Sequence, residues 1–125
     1  MTFNNLSVIT QMSPLRIVFY PEGSSGPVKD YFEGLRVRRP DASIKLAVDI
    51  RTLAVEGLRS NRISVRSRGR GLWELKRLFE GVQYRIFFCA NDGFVWLLHA
   101  IEKKSSKTPL DDLRLARKRM RGCVS

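Results

Sequence analysis

The chain has 125 residues, with 23 Lys+Arg against 12 Asp+Glu, a net charge of +11 at pH 7 and a pI near 10.5. That length holds one domain around one core, and an apolar fraction of 43% without low-complexity tracts excludes wholesale disorder. So strong a positive excess points to a polyanionic partner, either nucleic acid or an acidic protein.

Residues 1–13 are polar and weakly patterned and read as a flexible N-terminal extension, leaving 14–125 as a single domain. "PLRIVFYP" (14–21) is β-rich and bracketed by prolines, as suits a strand at a sheet edge. In "GPVKDYFEGL" Pro27 takes a first-turn position, and Val28, Tyr31, Phe32 and Leu35 fall on one helical face. A second helix follows Pro40. Leu46, Ile50, Leu53 and Ala54 form its stripe, Ala47, Val48 and Val55 widen it, and Gly57 is the expected stop. The two helices read as a hairpin around "RVRRPD".

"RSNRISVRSRGRG" (59–71) carries five arginines and two glycines. It reads as a mobile basic loop with at most a short strand, suited to phosphate contact. Three strands follow: "LWELKRLF" (72–79), "VQYRIFFCA" (82–90) and "FVWLLHAIEK" (94–103). Glu80-Gly81 and Asn91-Asp92-Gly93 are hairpin signals, so the strands form an antiparallel meander. Strict alternation places Leu97, His99, Ile101 and Lys103 on one face of the last strand, and Trp96, Leu98, Ala100, Glu102 and Lys104 on the other. Thr108 then caps a final helix with Pro109 at its first position. Leu110, Leu113, Ala116 and Met120 are its apolar stripe, with Arg114, Arg117, Lys118 and Arg121 in water. The expected fold is α+β: two helices packed on a small, mainly antiparallel sheet in the order β-α-α-β-β-β-α.

No apolar run reaches the roughly 18–20 residues of a membrane span, and no basic-then-apolar signal pattern opens the chain. Cys89 and Cys123 show no pairing pattern, which reads as a reducing, cytoplasmic setting. One histidine and two distant cysteines make no recognisable zinc cluster, and there is no Gly-rich phosphate loop or G-x-S-x-G elbow. The expectation is chemistry without metal or cofactor.

At "GLWELK", "YRIFF" and "LLHAIEKKSSKTP", within residues 71–109, the chain resembles the RelE/HigB-like toxins of bacterial type II toxin–antitoxin systems, in their phage- and HigB-related branch. The resemblance implies a RelE-like fold and a ribosome-dependent endoribonuclease that cuts mRNA during translation. It also implies a cognate antitoxin with a helix-turn-helix domain, similar to HigA, through which alone the complex would meet DNA. A membrane plays no part. Metal-free cleavage requires the 2′-OH to attack the adjacent phosphate while the protein orients the attack and stabilises added negative charge.

Arg85 matches the arginine of the family's Y-R-I motif and sits mid-strand, where an unpaired guanidinium would be costly. It reads as a transition-state charge, as an ion pair with Glu74 on the neighbouring strand, or as both. Glu102, Lys103 and Lys104 stand at the strand end where related toxins place catalytic residues, and alternation lets one lysine line the site with Glu102. Family members that use His or Tyr there leave the general base open. Arg66, Arg68, Arg70, Lys76 and Lys107 are the expected RNA contacts, Lys107 beside a helix N-terminus. His99 reads as a hydrogen-bonded structural residue, Trp73 and Trp96 as core, and both cysteines as ordinary thiols. A second class fits the same composition: a basic protein of this fold that binds nucleic acid or a partner without cutting.

Overall fold

In the computed structural model, which describes residues 15–103 and 108–123, a four-residue strand β1 (Arg16–Phe19) leads into two helices that both open on proline. Pro27 starts α1 (Pro27–Arg38) and Pro40 starts α2 (Pro40–Glu56). Each stands where the missing N–H has no intrahelical acceptor to lose. Gly57, at φ 82°, donates its N–H to the Leu53 carbonyl and ends α2 in a conformation a side chain would strain. Val28, Leu35, Leu46 and Leu53 are buried, so the expected stripes do face the core.

Four further strands are β2 (Ser64–Gly69), β3 (Leu72–Phe79), β4 (Val82–Asn91) and β5 (Phe94–Lys103). Their connections Arg70-Gly71, Glu80-Gly81 and Asp92-Gly93 are two-residue turns with positive φ at both positions. That geometry matches the twist of an antiparallel pair. The sheet order is β1-β5-β4-β3-β2, parallel between β1 and β5 and antiparallel elsewhere. The α+β order is therefore the expected one with an addition. Six residues of the supposed mobile basic loop are an edge strand, because alternation of Val65 with Ser64 and Arg66 lets one residue pack on the core while its neighbours stay wet.

Each face of the sheet builds its own core. Leu75, Tyr84, Ile86, Phe88, Val95 and Leu97 pack with the buried stripes of α1 and α2. Leu72, Phe87, Cys89, Leu98 and Ile101 pack beneath α3 (Leu110–Cys123), which contributes Ala116 and Met120. Phe87 and Phe88 are both 0% exposed and point oppositely, so each contributes about 1.5–3 kcal/mol to a different core.

Strict alternation fails in β5. Phe87 pairs with His99 but Phe88 pairs with Leu97, so Leu98 is an extra residue in a bulge. Leu97 consequently lies on the α1–α2 face with Ala100 and Glu102, while Trp96, Leu98, His99 and Ile101 lie under α3. The expected grouping of Leu97 with His99 and of Leu98 with Glu102 is thus corrected. Arg119 of α3 stabilises the irregularity by donating to the Leu98 carbonyl at 2.8 Å, with its guanidinium 5.2 Å over the Tyr20 ring.

Two expectations for α3 change as well. Leu110 is 67% exposed and leaves the apolar stripe to Leu113, Ala116 and Met120. Arg117 is not simply solvated, since it donates to the carbonyls of Arg68 (3.0 Å) and Gly69 (3.1 Å) and clasps the β2–β3 turn.

Candidate functional site

Where β2, β3 and β4 run side by side under the start of α3, a buried carboxylate gathers two guanidiniums. Glu74 and Arg85 are each 1% exposed, and Arg85 Nη1 donates to Glu74 Oε2 at 2.5 Å. Arg68 Nε donates to Glu74 Oε1 at 2.6 Å, and its Nη2 closes on the same oxygen. Thr108 Oγ1 lies 3.3 Å from both carboxylate oxygens and accepts from Arg68 at 2.8 Å. The bulge of β2 between Ser67 and Gly69 makes this reach possible, because it takes Arg68 out of the regular ladder.

Thr108 therefore does not serve its own helix as the expected cap. Its hydroxyl turns to Glu74 and Arg68, and α3 begins at Leu110, where the Pro109 carbonyl accepts from Leu113 N–H. Buried charge explains the preference: an ion pair without full hydrogen bonding is far costlier than an uncapped turn. The ion pair of Arg85 with Glu74, one of the readings the sequence offers, is present.

Beyond the part of this face that α3 covers, the surface is basic. Lys76 stands opposite Arg85 on β3, Arg66 opposite Glu74 on β2, and Lys103 opposite Gln83 on β5, all on the α3 side of the sheet. Arg66 and Lys103 are exposed and Lys76 is half-buried. None of the three makes an ion pair among the described residues. Arg70 is exposed at the β2–β3 turn with φ 54°. Lys104 and Lys107 lie outside the described residues.

Glu102 is on the other side. It pairs in register with Tyr84 and faces α1, where Arg38 donates to both oxygens at 3.1 Å and Tyr31 donates its hydroxyl at 2.5 Å. The Arg38 guanidinium holds the Glu102 carboxyl below the ordinary carboxylate range, with Tyr31 adding to the effect. Burial, with Glu102 beside it, raises the Tyr31 phenol, which stays a neutral donor. The sheet therefore brings Arg85 together with Lys76, Arg66 and Lys103 and separates all four from Glu102.

His99 has the structural role expected of it: Nε2 lies 2.7 Å from Asp112 Oδ1 on α3, and the ring stacks on Phe87. Trp73 and Trp96 pack against the two cores. Burial pushes the Cys89 thiol up to about 11, away from nucleophilic use. Sequence reasoning did not find the bidentate pair from Arg77 to Asp49 (2.6 and 2.8 Å), which ties β3 to α2 beneath the hairpin. The signal available was an aspartate on the apolar side of a helix, with Leu46, Ile50 and Leu53 about it. It also missed that Arg68 points inward. No periodicity carries that, since the bulge alone turns it.

One face of this small α+β sheet is thus half-covered by a helix and half-lined by cations that make no ion pair among the described residues. Residues 35–121 match the model of the family described as phage derived protein Gp49-like (DUF891), and the chain belongs to that phage-derived, toxin-like family. No curated protein and no solved structure matches the chain. Among the described residues no helix is long and apolar enough to cross a membrane.

Proposed function

We propose that the chain is the toxin of a toxin–antitoxin pair of RelE/HigB type, a ribosome-dependent endoribonuclease that halts translation by cutting mRNA. The observation that carries the reading is the row of cations on the open α3 side of the sheet: Arg66, Lys76 and Lys103, with Arg85 and Arg68 behind them around Glu74. In the reaction the 2′-oxygen bonds to phosphorus and the 5′-oxygen departs. Negative charge gathers on the phosphate between, and cations fixed on a sheet stabilise it without reorganising. Lys76 and Lys103 are assigned to that charge. Arg66 and Arg70 hold the backbone of the RNA. Arg85, at 1% exposed, is a positioning residue that keeps Glu74 and Arg68 in place rather than a group that touches phosphate. Glu102 serves the docking of α1 through Arg38 and Tyr31.

Induced expression with mapping of new RNA 5′ ends is the test. Wild type should arrest growth and generate new ends, and Lys76→Ala with Lys103→Ala should remove them while circular dichroism stays native. Each preorganised donor is typically worth about 10²–10³ in rate. The burial of Arg85 favours a second reading, a protein that binds RNA without cutting it. Growth arrest with no new 5′ ends would select that reading.

A further inference from the structure

The apolar surface that α2 does not bury forms a single stripe. Ile44 (62% exposed), Val48 (55%) and Val55 (51%) align with Ala47 and Arg51 at i, i+4, i+11, i+3 and i+7. Beside it runs a groove of about 480 Å³, walled by Ala47, Ile50 and Val55 of α2, Phe32 of α1, and Ile17 and Phe19 of β1. Ala47, Arg51 and Val55 belong to both, so stripe and groove are one continuous apolar surface. Patches of this kind on small soluble domains mark interaction sites.

The neighbouring sheet edge narrows the choice of occupant. Leu15 donates its N–H to the Ala54 carbonyl at 2.8 Å, and Phe19 exchanges both backbone bonds with Gly23 at 2.9 and 2.7 Å. Ile17 is left as the one outward-facing position between them, too little for an added strand. The occupant is therefore a helix laid in the groove.

Charge identifies its chemistry. Arg51 lies in the groove wall, and Arg36 and Lys29 line an adjoining depression. Lys29 is neutralised by Glu33, which lines the same depression, at 3.1 Å. Arg36 and Arg51 make no ion pair among the described residues. A second copy would bring +11 against +11 and repeat these arginines across the contact. An acidic helix meets them favourably.

We propose that this surface seats an acidic amphipathic helix of the antitoxin, with apolar side chains in the groove and carboxylates toward Arg36 and Arg51. The identity of the partner rests on the toxin–antitoxin reading, whereas the site itself does not depend on RNA cleavage. The site lies on the α1–α2 side of the sheet, opposite Lys76 and Lys103. The partner therefore neutralises by keeping the domain from its target, and the complex retains affinity for a polyanion.

The test is co-expression with the product of the adjacent gene, followed by hydrogen exchange on the purified complex and the free chain, and by titration of variants. Protection should rise across residues 44–55. Val48→Glu and Arg51→Glu, both on exposed positions, should each weaken the complex about tenfold to thirtyfold or more, with Arg51→Lys near wild type. Retention on heparin should survive complex formation. Protection confined to other elements, or wild-type affinity in both Glu variants, overturns the site. So does a free-chain dimer in ultracentrifugation that Val48→Glu dissolves, which would assign the surface to a second copy. So does stripe protection in a monomeric free chain that Val48→Glu removes, which would assign it to the chain's own residues 1–13. Growth arrest by the uncomplexed chain is scored separately. Arrest without stripe protection sinks the docking site and spares the toxin reading, and stripe protection without arrest does the reverse.

Discussion

Glu74→Gln should be the costliest conservative change in the sheet. The substitution keeps the shape of the side chain and removes the one charge that Arg68 and Arg85 share. Arg85 is 1% exposed and cannot turn to water, so its guanidinium is left buried against a neutral amide. Breaking a buried pair in this way costs about 3–5 kcal/mol, a large part of the roughly 5–15 kcal/mol that holds a domain folded. Arg85→Met should cost less, because Glu74 keeps Arg68 and Thr108 as partners. Arg68→Gln should cost least, about 1–3 kcal/mol, since Arg68 is 19% exposed and solvent reaches the vacated place. The assay is urea denaturation followed by circular dichroism. With a slope of about 2 kcal/mol per M, a loss of 4 kcal/mol moves the midpoint by about 2 M. In the double variant Glu74→Gln/Arg85→Met the costs should fall short of additive by about 0.5–3 kcal/mol, the signature of direct coupling. A Glu74→Gln midpoint within about 0.5 M of wild type, or an Arg68→Gln cost above that of Glu74→Gln, would refute a dry, shared ion cluster.

Glu102 has a depressed folded pKa, so its contribution is present above the unfolded carboxylate value of about 4.3 and disappears as pH falls through the folded one. Thermal midpoints of wild type and Glu102→Gln should therefore differ near pH 6 and converge toward pH 2–3; a constant offset across that range would contradict the Arg38 and Tyr31 contacts. Burial that lifts Cys89 to about 11 should leave it unlabelled by iodoacetamide at pH 8 in native protein, with the half-buried Cys123 reacting first and both labelled in urea. Replacing Arg66, Lys76 and Lys103 together by Gln should lower the slope of log RNA affinity against log salt by about 2–3, at roughly 0.7–0.9 per contact. An unchanged slope would mean that these cations face only solvent.

The helices and hairpins of this chain were legible in its sequence because they rest on local periods. A stripe at Leu46, Ile50 and Leu53 can hide only as a helix, and Glu80-Gly81 joins two alternating runs whose twist demands a turn with positive φ. Arg85 was legible for the same kind of reason, since a guanidinium amid "YRIFF" needs a partner whatever the fold. Its partner Glu74 was legible too, because the Glu80-Gly81 hairpin lays the two strands side by side, but on which side of the sheet the other charges fall is not a local matter. Alternation counted along β5 puts Lys103 with Leu97, but one extra residue at Leu98 inverts the count, and Glu102 ends against α1 rather than near Arg85. A bulge of this sort follows from how neighbouring strands align their hydrogen bonds, and the unbroken apolar run from Phe94 to Leu98 hides the slip from any pattern. The same holds for Arg68, turned inward by a bulge in β2, and for Thr108, drawn from its helix to a buried carboxylate 34 residues away. It holds also for α2, whose apolar face is wider than the sheet beneath it can cover. Only the packed structure decides that Leu46 and Leu53 go inside while Val48 and Val55 stay in water, because the number of residues a sheet can bury is set by its area and not by the helix that offers them.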